Sequence, residues 1–114
     1  RSHWMWYVFP QITGLGHSDT SRFYAIQSLK EASAFLKHPV LGENITEISN
    51  ALLGLSHLSA YDIFGSPDDL KLHSSMTLFS QVKDANDVFR KVIEKYFNGK
   101  LDQSTIKILH IIEK

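Results

Sequence analysis

The sequence predicts an all-α fold: a single multihelical domain over residues 1–114, with a core-facing stripe on a helix at about residues 67–82. Three observations lead there. Apolar residues recur at helical spacing, most clearly at Leu41, Ile45, Ile48, Leu52 and Leu55. Residues suited to starting helices (Ser28, Ser59, Ser66, Asp84 and Asp102) stand ahead of such stretches, and stop signals follow them. The segment GSPDDLKLHSSMTLF, residues 65–79, opens a helix whose apolar arc reads as a core-facing stripe.

Residues 4–9 (Trp4, Met5, Trp6, Tyr7, Val8, Phe9) are apolar on every side, which predicts burial without separating helix from strand, and Pro10 ends the run. Thr13, Gly14, Gly16 and Ser18 read as a loop, and Ser21 to Ile26 as a short helical turn. Ser28 with Glu31 matches a capping box, and His38-Pro39 stops the helix it opens. The Leu41–Leu55 stripe predicts an amphipathic helix fading at Gly54. Ser59 with Asp62 starts a short turn that ends at Gly65. Asp84 is the predicted cap of a helix carrying Val88, Phe89, Val92, Ile93, Tyr96 and Phe97, closed by Asn98-Gly99 in a left-handed stop. Asp102 caps a last element through Ile106, Leu109 and Ile112. Its β-branched run TIKILHII would also serve as a strand.

In the central segment, Ser66 is the predicted N-cap and Pro67 the first helical residue, with Asp68 and Asp69 at the positive end of the helix dipole. Leu72, Met76, Leu78, Phe79 and Val82 then span an arc of about 160°, counted at about 100° per residue. Asp68, Lys71 and Ser75 fall inside that arc. Charges on a core-facing stripe must be paired or put to use, because a lone buried charge is very costly.

Twelve basic and twelve acidic side chains balance, so no net field draws the chain to nucleic acid or to an anionic membrane. With no cysteine there is no disulfide, thiolate metal site or cysteine nucleophile, and a cytoplasmic address is favoured. The aromatic run near the start is far shorter than the roughly 20 residues of a membrane helix. An aromatic block directly behind Arg1 also leads to the expectation of a further N-terminal portion. The six histidines are scattered, with no HExxH, so no metal is expected; no phosphate-binding glycine loop or GxSxG elbow occurs, and no cofactor is implied.

Two candidate sites remain. Asp68, Lys71 and Ser75, with Asp69 beside them, put carboxylate, ammonium and hydroxyl next to free helix N–H groups. The structural alternative is an ion pair that only fixes packing. The block SHWMWYVFPQ sets Trp4, Trp6 and Phe9 beside His3 and Gln11, a mixture suited to stacking a planar ring, although most such aromatics serve packing.

SHWMWYVFPQITGLG at 2–16, YAI at 24–26, HPVLG at 38–42 and IFGSPDDLKLHSSMTLF at 63–79 resemble the "domain of unknown function eighteen-ten" family, some members of which carry a calpastatin label. The resemblance covers essentially the whole chain. It implies an all-helical domain whose buried central helix is SPDDLKLHSSMTLF, preceded in family members by a further helical segment. The motif spread is also remotely similar to NADAR domains, which implies a nucleotide-sugar ligand. From the aromatic block and the polar helix start together with that remote similarity, the expected function is binding or hydrolysis of a nucleotide-derived, ADP-ribose-like small molecule. Trp4, Trp6 and Phe9 would wall the pocket, with His3 and Gln11 as hydrogen-bonding groups. Lys71 would hold a phosphate, Asp68 or Asp69 would stabilise an oxocarbenium or activate water, and Ser75 would orient its neighbours. The rival expectation is a non-enzymatic interaction module in which the polar triad is structural.

Overall fold

A computed structural model of the chain describes residues 5, 8–16 and 19–113. Seven helices occur among them: α1 Asp19–Tyr24, α2 Leu29–Lys37, α3 Leu41–Leu53, α4 Ala60–Phe64, α5 Asp68–Ser80, α6 Val88–Phe97 and α7 Gln103–Ile112. The fold is all-α, and none of these helices is long and apolar enough to cross a membrane.

Local chemistry sets most boundaries. The Ser28 hydroxyl accepts the Glu31 N–H at 3.1 Å and opens α2; the Glu31 carboxylate reaches back one residue further than a capping box requires, to the Gln27 N–H. His38 ends α2 and begins α3, its ring Nδ1 accepting the N–H groups of Val40 and Leu41. Ser59 and Asp62 form a complete capping box for α4, and Gly65 closes that helix at φ +74°, where a side chain would be strained. Asn98 stops α6 in the left-handed conformation. The last element is a helix and not a strand, with Asp102 accepting the Thr105 N–H at 3.1 Å.

Three expected starts differ. The first short helix lies at Asp19–Tyr24, because Ile26 forms an isolated parallel bridge with Ile12; the Ile26 N–H donates to the Gln11 carbonyl and the Thr13 N–H to the Ile26 carbonyl, both at 2.8 Å. Helix α5 begins at Asp68 with Pro67, not Ser66, at its N-cap and no side-chain cap, since the Pro67 carbonyl takes the Leu70 and Lys71 N–H groups. Asp84 does not cap α6. It adopts φ +63°, and the Asn86 side-chain oxygen takes the Val88 N–H at 2.8 Å instead.

Helix α5 is the centre of the fold, in contact with α2, α4, α6 and α7, while α3 packs on α2 and α6. Leu72 and every residue from Ser74 to Phe79 are buried, so burial extends round the whole circumference and beyond the expected arc. Phe79 shows why: its ring lies against Phe35 of α2 on one side and Phe89 of α6 on the other, at centroid distances of 5.4 and 5.8 Å. A helix surrounded by others needs no polar face. At the periphery the Glu113 carboxylate, just after α7, accepts the Leu29 N–H at 2.9 Å and ties the end of the fold to the start of α2.

Candidate functional site

The first turns of α5 and α7 converge on a cleft of about 330 Å³. From α5 and its N-cap come Pro67, Leu70, Lys71 and Ser74, which share one side of the helix at three- and four-residue spacing. From the start of α7 come Asp102 and Ser104, and from the loop held by the Ile12–Ile26 bridge come Gln11, Leu15 and Gly16. Cation, carboxylate, amide and hydroxyls thus meet apolar walls, and the volume lies in the range of small-molecule sites.

Lys71 Nζ stands 3.3 Å from Asp68 Oδ1, with the two side chains 19% and 14% exposed. Neither residue's interactions end with this pair. Half-burial strengthens the pair beyond an exposed one without the full desolvation cost of the core. Asp102 anchors the other wall. Its Oδ2 accepts from the Thr105 N–H at 3.1 Å, the Thr105 hydroxyl at 2.6 Å and the Ser74 hydroxyl at 3.2 Å. Its own N–H donates to Thr77 Oγ1 at 2.9 Å. Buried Ser74, on the carboxylate, and buried Thr77, on the backbone N–H, therefore tie α5 to Asp102 at the start of α7, while Thr105 of α7 holds that carboxylate in place.

The residues expected from sequence separate into groups. Lys71 and Gln11 share the cleft. Asp68 is held beside it as the partner of Lys71. Asp69 is half-buried and accepts the Leu70 N–H at 2.9 Å. Ser75 is fully buried in α5, and its hydroxyl has no hydrogen-bond partner among the described residues. Phe9 is fully buried and meets Phe64 edge to face at 6.1 Å. His3, Trp4 and Trp6 lie outside the described residues.

Ser74, Asp102 and Ser104 line the cleft without having been singled out. For Ser74 a signal existed, because it follows Lys71 by three residues. For Asp102 the capping role was legible, but not its approach to α5.

A larger cleft, of about 420 Å³, lies between Leu29, Gln81, Ile106, Leu109, His110 and Glu113. Its walls are mainly apolar, and none of the residues expected from sequence lines it. Convergent polar groups, more than volume, mark a site for a specific ligand, so the smaller cleft is the better candidate.

The family model described as "Protein of unknown function (DUF1810)" matches residues 1–109. The chain belongs to this family. Membership bears out the resemblance read from the motifs, and the family's description assigns no activity. Among solved structures, the chain is similar to the crystal structure of the conserved hypothetical protein Rv1873 from Mycobacterium tuberculosis. The two share 46% identity, with a TM-score of 0.92 over 96% of this chain and 79% of the other. No curated protein matches the chain significantly.

Proposed function

We propose that the chain binds a small nucleotide-derived, ADP-ribose-like ligand in the cleft between α5 and α7. The observation that carries this reading is the convergence of Lys71, Gln11, Ser74, Asp102 and Ser104 on one concave surface with apolar walls. Lys71 supplies the donor for a phosphate, and Asp68 holds its ammonium in place. Asp102 and Ser104 supply partners for sugar hydroxyls. What supports ligand binding over a purely structural pair is that Lys71, besides its contact with Asp68, lines the cleft.

Binding is favoured over hydrolysis in this reading. Cleavage of a glycosidic bond needs a carboxylate at the reacting carbon. Asp68 and Asp69 do not line the cleft, and the carboxylate that does, Asp102, already takes three hydrogen bonds on Oδ2.

Thermal denaturation with ADP-ribose, NAD or AMP tests the proposal, since a ligand at a hundredfold excess over Kd stabilises by about 2.7 kcal/mol. Stabilisation by at least one of them, abolished in Lys71→Met, is the expected result. No shift with any of the three at millimolar concentration would overturn it.

A further inference from the structure

Gln11 stands apart from its neighbours in the cleft. The residue as a whole is only 8% exposed, and it lines the cleft. Its backbone carbonyl accepts the Ile26 N–H, which fixes the main chain on the bridge. Among the described residues, nothing hydrogen-bonds to the side-chain amide. The buried polar groups around this cleft are paired within the protein, Ser74 and Thr105 on Asp102 and Thr77 on the Asp102 N–H, whereas the Gln11 amide is not among the sealed, unpaired groups and keeps its contact with solvent. An amide offers an acceptor and two donors side by side. A partner that satisfies it must present a donor beside an acceptor in one plane.

Asp102 narrows the choice. Its three hydrogen bonds all fall on Oδ2, and Oδ1 receives none among the described residues. An anionic group docked at Gln11 would share the cleft with that carboxylate and be repelled by it, whereas a neutral group with an N–H or O–H to spare would also satisfy Oδ1. We infer that Gln11 determines ligand specificity in this cleft by reading a neutral amide-like edge, a carboxamide or the amino edge of a purine, on a ligand whose phosphate is held at Lys71. The inference rests on the ligand-binding reading above and names the part of the ligand that reading leaves open.

Equilibrium binding of five probes tests it. Ribose 5-phosphate measures the cleft without any edge. AMP is paired with purine riboside 5′-phosphate, which lacks the amino group; nicotinamide mononucleotide is paired with nicotinic acid mononucleotide, whose carboxylate replaces the carboxamide. The expected result is a preference of about tenfold or more for the edge-bearing member of at least one pair. In Gln11→Leu that preference should disappear, the two members of the pair binding with equal affinity. The pair that shows the preference identifies the source of the edge.

Ribose 5-phosphate binding without a preference in either pair overturns the role of Gln11 and leaves the cleft reading standing. So does a preference that survives in Gln11→Leu. Failure of all five probes overturns both. Should Gln11→Leu melt at a temperature showing that it does not fold, the comparison within each pair on the parent protein decides alone, because there the deletion is made in the ligand.

Discussion

Replacing Gly42 with alanine sets a general rule against one particular distance. Gly42 lies in the first turn of α3 and is buried. In a helix, alanine is favoured over glycine by about 1 kcal/mol, so the propensity rule predicts a more stable protein. The geometry predicts the reverse. A Cβ at this position would stand 2.0 Å from the Leu36 carbonyl oxygen, 2.6 Å from its carbon and 3.1 Å from the Leu36 Cα. Those atoms are backbone near the end of α2 and cannot swing aside as a side chain would. To reach an ordinary contact of 3.4 Å the oxygen must retreat by more than an ångström, which parts α2 from α3. Fully buried Ala32 of α2 and Ile45 of α3 then lose packing. Overpacking of this kind costs about 1–3 kcal/mol, and a rigid obstacle puts the cost at the upper end. After the propensity gain the net loss is about 2 kcal/mol, or about 8 °C in Tm for a chain of this size.

Urea denaturation followed by circular dichroism would measure it as a lower midpoint at unchanged slope. Gly54→Ala is the matched control, because its Cβ would meet only the Ala51 carbonyl oxygen, at 3.5 Å; it should shift stability by no more than about 0.5 kcal/mol. A Gly42→Ala protein as stable as the parent, or more so, would refute the close approach of α2 and α3.

Other perturbations test separate parts of the fold. Lys95 Nζ donates to the carbonyls of Leu52, Leu53 and Leu55 at the end of α3, so Lys95→Met should cost about 1–2 kcal/mol by the same urea assay; an unchanged midpoint would remove its role as a cap. Burial raises the Tyr96 hydroxyl above 10.0, and it donates to the Leu52 carbonyl at 2.5 Å. Its contribution is present below pH 10 and lost as pH rises through the raised folded value, and an ultraviolet titration should show one of the four tyrosines ionising late. Asp62 is lowered below 3.8, first by the Ser59 backbone N–H and then by its hydroxyl. That contribution is therefore present above pH 3.8 and lost as pH falls through the lowered value, and Ser59→Ala should flatten the pH dependence of the urea midpoint in that window.

What could be read from the sequence divides along a physical line. Ser28, Ser59 with Asp62, Asn98 and Asp102 were legible because a helix end is satisfied by side chains within three or four residues of it. Where two nearby groups compete for one cap, spacing alone fails to choose. Asp84 has the right chemistry but a left-handed backbone, and Asn86 takes the N–H instead. The closeness of Gly42 to Leu36 had no sequence signal, since a glycine reads the same whether it faces solvent or another helix. Burial round the whole of α5 was legible only as a wide arc, because Ser74 and Thr77 look like solvent positions until Asp102 arrives to satisfy them.

The same line runs through the site. At about 100° per residue, Ser74 lies about 60° to one side of Lys71 and Ser75 about 40° to the other. Lys71 therefore sits on the seam between the cleft and the core, and the three residues that look like one triad in sequence serve two surfaces. Ser75 turns inward, where its hydroxyl is left without a partner among the described residues; Lys71 keeps Asp68 at its side and borders the cleft. The groups that complete the cleft, Gln11 and Asp102, come from distant parts of the chain, brought there by a bridge to Ile26 and by a cap on α7. Each of those contacts has an evident local purpose, which hides its second use. A capping aspartate needs only one of its oxygens for the helix. The other receives no hydrogen bond among the described residues and is the oxygen the proposed ligand would meet.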